Sequence, residues 1–177
     1  MDILSHGLWS GVAYKAANNK TDKKLNIKWA MFWGVFPDLF AFTIPVAWLF
    51  WNIIIGTMSP ADFPRPTGIE PPAVQQTQWQ FQLASILYKY SHSLLIFASV
   101  FGLVYFVCKR PVWEMGGWLL HILLDIPTHT YRFYPTPILW PISDFKFSGF
   151  SWGTPWFLVT DYGLLILCYL YLKRGRR

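Results

Sequence analysis

Residues 29–56 carry a single charged side chain, Asp38, in an otherwise apolar stretch. A bilayer-crossing helix needs roughly 17–25 residues, so this run is long enough to cross, and no ordinary soluble domain has use for it. Three more apolar blocks follow, at 93–108, 111–128 and 155–172. The block at 93–108 is short for a span and is expected to recruit residues upstream of His92. Composition agrees: 14% of residues are charged, against about 25% in a typical soluble domain. With 54% hydrophobic residues, the chain has too much apolar surface and too little charge to remain disordered. An amphipathic stretch at 3–17 reads as a short helix, half-inserted or spanning. The expected fold is one all-α, polytopic membrane domain over 1–177, with about four spans and this N-terminal helix.

The net charge of +6 is distributed as a membrane protein distributes it. Lys15, Lys20, Lys23, Lys24 and Lys28 form one cluster, Lys109 and Arg110 a second, and Lys173, Arg174, Arg176 and Arg177 a third. Each cluster borders an apolar block, the usual place of cytoplasmic basic residues, and nucleic-acid binding is not expected. Four alternating spans bring all three clusters to the cytoplasmic side and send 57–91 and 130–155 outside. The stretch 58–72 holds five prolines, Pro60, Pro64, Pro66, Pro71 and Pro72, and should be extended. Residues 74–83, with Trp79 and Phe81, are expected as an interfacial helix. The aromatic-rich 130–155 segment suits a cap at the outer membrane–water boundary. Cys108 and Cys168 lie in apolar blocks, so no disulfide framework is expected. Asp2 without a basic n-region does not read as a cleaved signal peptide.

Ionisable side chains inside apolar blocks are costly and usually face a bundle interior or a cavity. In the stretch WLLHILLDIPTH, His121 and Asp125 are four apart and share a helix face. They either ligate a divalent cation together, or Asp125 orients His121 from behind, or the pair merely clamps helices. His129 lies four residues further on, beyond Pro127; proline disturbs the helix there, leaving His129 as a ligand or a loop residue. Asp38 follows Pro37 in WGVFPDLF. That pattern predicts a helix break near Gly34 and a restart at Pro37, with Asp38 in a favourable first turn or serving as a ligand. His92 in KYSHSLLIF and His6 in ILSHGLWSG say little alone.

Depth strengthens them as a group. Counted from the cytoplasmic ends at about 1.5 Å per residue, His6 falls near 13 Å, Asp38 and His121 near 15 Å, Asp125 near 21 Å and His92 near 24 Å. All lie close to the midplane or between it and the outer face of a core about 30 Å thick. Histidine with carboxylate and no thiolate suits Zn²⁺, with Mn²⁺ and Fe²⁺ as alternatives. Such a site activates water as a nucleophile, with Asp125 or His129 as catalytic proton acceptor. A site reached from the bilayer would suit a lipid or lipid-linked phosphoester.

The order His6, GVFPD with Asp38, SHSLL with His92, HILLD with His121 and Asp125, then LWPIS resembles the YdjM-like inner-membrane metal-dependent hydrolases. The resemblance runs from His6 to about Ser143, and HILLDIPTH followed by PILWPIS is its most specific part. That family is grouped distantly with zinc-dependent phospholipase C and single-strand nucleases. The resemblance implies an all-helical fold, metal-dependent phosphoester hydrolysis, and His6, Asp38, His92, His121 and Asp125 as metal ligands in a bacterial inner-membrane protein. Where members often carry a His-Arg pair, this chain has Leu87 and Tyr88. A second function class fits the same residues: a non-catalytic membrane protein whose His/Asp cluster is structural or conducts protons. A relay of that kind would extend through Glu114 or Asp161.

Overall fold

The computed structural model describes residues 1–22, 24–59 and 78–174. Among them the architecture is all-helical and without strands. It comprises α1 (Ile3–Lys20), α2 (Ile27–Ile54), α3 (Trp79–Ser91), α4 (Leu94–Cys108), α5 (Gly116–Thr128) and α6 (Pro155–Arg174), with a 3-10 turn at Trp113–Met115 before α5. The expected proline-rich stretch at 60–72, and the first part of the 74–83 helix, fall outside the described residues.

Helix α1 is capped by Asp2, whose carboxylate accepts the Ser5 amide at 2.9 Å. Its buried face is built from small and polar residues, Ser5, His6, Gly7, Ser10 and Gly11, so α2 can approach its backbone closely. A Cβ at Gly34 would strike Ser10 and the His6 carbonyl, and one at Gly117 would strike the Ala30 carbonyl. This tight α1–α2–α5 crossing carries His6, Asp38 and His121 into one place.

Helix α2 does not break at Pro37. It starts at its Asn26 cap, which accepts the Trp29 amide at 3.2 Å, and continues through Pro37 and Pro45 to Ile54. Each proline removes one hydrogen bond. Both are buried, where packing against neighbouring helices sustains a helix that proline would interrupt in water. The buried stripe Ala30, Gly34, Pro37, Asp38, Ala41, Pro45 and Leu49 steps by three and four, as one helix face requires. On the other faces Phe40, Ile44, Phe50 and Trp51 stand exposed.

Helices α2 and α6 are long and apolar enough to cross a membrane; α3 and α4 qualify only as a pair, bent by 63°. The 93–108 run is thus long enough only together with the residues upstream of His92, and the two helices do not form one straight span. Ser93 makes the break: its hydroxyl accepts the Leu95 and Ile96 amides at 3.2 and 3.4 Å and so starts a new helix. Helix α5 has 13 residues, about 20 Å of length, and falls short of a full crossing. Among the described residues the helix lengths thus provide two full-length spans and one bent pair, not the four expected.

The aromatic 130–154 segment is irregular and strapped to the bundle by backbone hydrogen bonds. Gly149 donates to His129 at 2.8 Å, Phe150 to Pro127 at 3.0 Å and Trp152 to Thr128 at 3.2 Å. At its other side Leu94 donates to Ile138 at 3.0 Å, and the Ser93 hydroxyl to Trp140 at 2.6 Å. One apolar core gathers Phe97, Met115, Trp118 and Ile122; a second joins Ala41, Tyr88 and Tyr134.

Candidate metal centre

Asp38, His92, His121 and Asp125 each offer a ligand atom, all lying within 4.8 Å of one another. They come from α2, the α3–α4 break and α5, so no local segment makes the group. His121 Nε2 is 3.0 Å from His92 Nε2, 3.3 Å from Asp125 Oδ2 and 3.7 Å from Asp38 Oδ1. His92 Nε2 is 3.4 Å from Asp125 Oδ2 and 3.5 Å from Asp38 Oδ1. His6, His92 and His121 are 0% exposed and Asp125 1%, so bulk solvent does not reach these groups.

Hydrogen-bond logic shows what the group lacks. His121 Nδ1 lies 2.7 Å from the Gly34 carbonyl. A carbonyl only accepts, so Nδ1 carries the proton and Nε2 of the neutral ring presents a lone pair. That lone pair faces two carboxylate oxygens and a second imidazole. His92 Nδ1 is held at 2.8 Å by Ser91 Oγ, so with both rings neutral a single proton, on His92 Nε2, serves three acceptors. Asp125 Oδ2 is buried without a hydrogen-bond partner. A buried, acceptor-rich group of this kind is costly, and a cation at its centre satisfies every member at once. The spacing fits as well: ligand atoms about 2.1 Å from a tetrahedral zinc stand about 3.4 Å apart. The residues present therefore suit a divalent cation.

The other oxygen of Asp125 faces a different set. His6 Nε2 lies 2.8 Å from Oδ1, His129 Nε2 3.3 Å and the Met1 amine 2.6 Å. The amine also contacts Thr128 Oγ1 at 3.1 Å and His129 Nε2 at 3.2 Å. His129 Nδ1 is 3.0 Å from the Phe133 carbonyl, which fixes its proton there and leaves Nε2 as an acceptor. Helix α5 runs through Pro127 to Thr128, and His129 leaves it in an extended conformation. The proline thus does not turn His129 away from Asp125. His6 stacks on His121 with ring centroids 3.6 Å apart. Both of its ring nitrogens lack a hydrogen bond of good geometry.

All six residues singled out from the sequence, His6, Asp38, His92, His121, Asp125 and His129, thus converge. Asp161 lies in a separate arrangement. Its carboxylate accepts from Ser5 Oγ and from Trp9 Nε1 at 2.7 Å, tying α6 to α1. Glu114 accepts the Asn26 amide at 3.1 Å. Supporting groups that sequence reasoning passed over are Ser91, the Gly34 carbonyl, and Tyr88, whose ring stacks on His92 at 3.7 Å. The SHS triplet signals the serines around His92; a backbone carbonyl leaves no signal in the sequence. Outside the spans, burial pushes the Tyr134 phenol above its usual pKa, so it stays a neutral donor. Comparison with protein-family models, curated proteins and solved structures finds no match for this chain.

Proposed function

We propose that this chain is a membrane-embedded, metal-dependent hydrolase acting on a phosphoester. The observation that carries the reading is the buried His92–His121–Asp38–Asp125 group, in which lone pairs and carboxylate oxygens converge with too few protons to serve them. Asp38, His92, His121 and Asp125 would hold the cation, with His6 on the far oxygen of Asp125. Zn²⁺ suits this donor set best, and Mn²⁺ or Fe²⁺ also suits it. When bound, such a cation lowers the pKa of a water and polarises a phosphoryl oxygen.

The protein's own residues supply the rest. The Gly34 carbonyl and Ser91 fix the ring orientations of His121 and His92, as partners behind the ligands do in metal sites. His129 Nε2, which lies beside the Met1 amine and Asp125 Oδ1, is placed to take the proton of an attacking water, and Asp125 to stabilise the imidazolium that forms. Burial keeps bulk water from competing for the carboxylates.

We place the chain in the bacterial cytoplasmic membrane, with α2 and α6 crossing it and the basic tail inside. For every basic cluster to face the cytoplasm, the chain must climb from Arg110 to the outer side before Pro155. The 3-10 turn and α5 do that climbing, and the aromatic 130–154 segment caps the outer face. The resemblance to YdjM-like hydrolases supports the same reading. The test is hydrolysis of a chromogenic phosphodiester by detergent-purified protein with and without added Zn²⁺ or Mn²⁺. Metal-dependent turnover lost in Asp125→Asn is expected; turnover indifferent to metal and to this variant would overturn the reading.

A further inference from the structure

A cavity of about 440 Å³ runs from the cluster along α2, within the range of small-molecule sites of roughly 300–1,000 Å³. Asp38 lies at its head. Below Asp38 the wall of α2 is Phe42, Pro45, Val46 and Leu49, at offsets of four, seven, eight and eleven, which is one helix face. From Asp38 to Leu49 that wall is about 16 Å long. The side chains of Ile3 and Leu4 form part of the opposite wall and stand 39% and 61% exposed, so the cavity has an apolar lip. The residues with ionisable groups that line it, Met1 with its amine, Asp2, Asp38, His129 and Tyr134, belong to the cluster or its surroundings.

Tyr134 is held at φ 45°, a left-handed conformation that costs a non-glycine residue on the order of 1–3 kcal/mol. That conformation turns a phenol into the cavity wall. Its hydroxyl has no hydrogen bond of normal geometry; the neighbouring Ser85 hydroxyl donates to the Phe81 carbonyl at 3.0 Å.

We infer that this cavity seats the apolar chain of a membrane amphiphile, with its phosphoester head group at the His/Asp cluster. The inference rests on the hydrolase reading and names its substrate class. A small water-soluble phosphoester would occupy the cluster alone and leave the apolar wall, about 16 Å long, without a partner. An alkyl chain covers that wall. Helix α2, which supplies it, is also one of the helices long and apolar enough to cross a membrane, and the exposed Ile3 and Leu4 at the lip would let a chain enter sideways from lipid. The Tyr134 hydroxyl would donate to the oxygen that joins chain and head group.

The test uses full-length protein in nanodiscs, loaded with Co²⁺ and titrated with methylphosphonate and decylphosphonate, read by the visible absorption of the cobalt. Decylphosphonate is expected to bind at least about tenfold tighter than methylphosphonate. Val46→Trp fills the cavity and should abolish that preference while leaving cobalt content and methylphosphonate affinity unchanged. A decylphosphonate with a terminal diazirine should label Val46, Leu49 or their neighbours across the cavity. A chain-length preference that survives Val46→Trp, or label found only elsewhere, overturns the inference even where cobalt binds. Cobalt bound with equal affinity for the two phosphonates does the same. Failure to bind any metal overturns the hydrolase reading itself, and the inference with it.

Discussion

His121 and His92 point their Nε2 atoms at one another across 3.0 Å, while the Gly34 carbonyl holds the His121 proton on the far side of the ring. Two imidazoles meeting nitrogen to nitrogen, with two carboxylates alongside, have the arrangement of ligands around a cation. A hydrogen-bonded structural clamp would pair donors with acceptors, as Asp161 does with Ser5 and Trp9.

Metal removal should therefore destabilise the fold. A cation present at about a hundred times its Kd contributes about 2.7 kcal/mol to stability. Chelation of the purified protein should lower its unfolding temperature, and zinc should restore it. Asp125→Asn should show no response to either treatment in the same thermal scans.

His129→Ala should separate binding from chemistry. If His129 is the proton acceptor, metal content stays near wild type while phosphodiester turnover falls about 10²–10⁴-fold. Equal loss of metal and turnover would instead make His129 a ligand.

Asp161→Asn distinguishes the hydrolase from a proton path. The variant weakens the clamp between α1 and α6 at a cost of about 1–3 kcal/mol, read by thermal scans, and leaves metal content unchanged. Matched loss of metal would favour a relay extending through Asp161.

Gly117→Ala tests the helix crossing that assembles the centre. The new Cβ meets the Ala30 carbonyl, and backbone cannot yield as a flexible side chain does. Overpacking of this kind costs typically 1–3 kcal/mol, so both the unfolding temperature and the metal content should fall.

Much of the centre is readable from the sequence because helical periodicity is local. The spacing of His121 and Asp125 places them on one face whatever surrounds them, and the depth count puts Asp38 at about 15 Å and His92 at about 24 Å, both from the midplane outward. The route of the chain is less readable. Pro37 usually marks a helix start, and only burial against neighbouring helices lets α2 run through it. The 63° bend at His92 depends on Ser93 capping a new helix, and that cap competes with a hydrophobic pattern that runs straight on. The Gly34 carbonyl that orients His121 belongs to every residue type alike and leaves no trace in composition or spacing.

The central claim is that the buried group holds a divalent cation, and the most direct measurement is elemental mass spectrometry of detergent-purified wild type beside His121→Ala. Stoichiometric zinc, manganese or iron in wild type, lost from a variant that still inserts into the membrane, is the predicted result. No divalent metal in either protein, even after loading, would contradict the account.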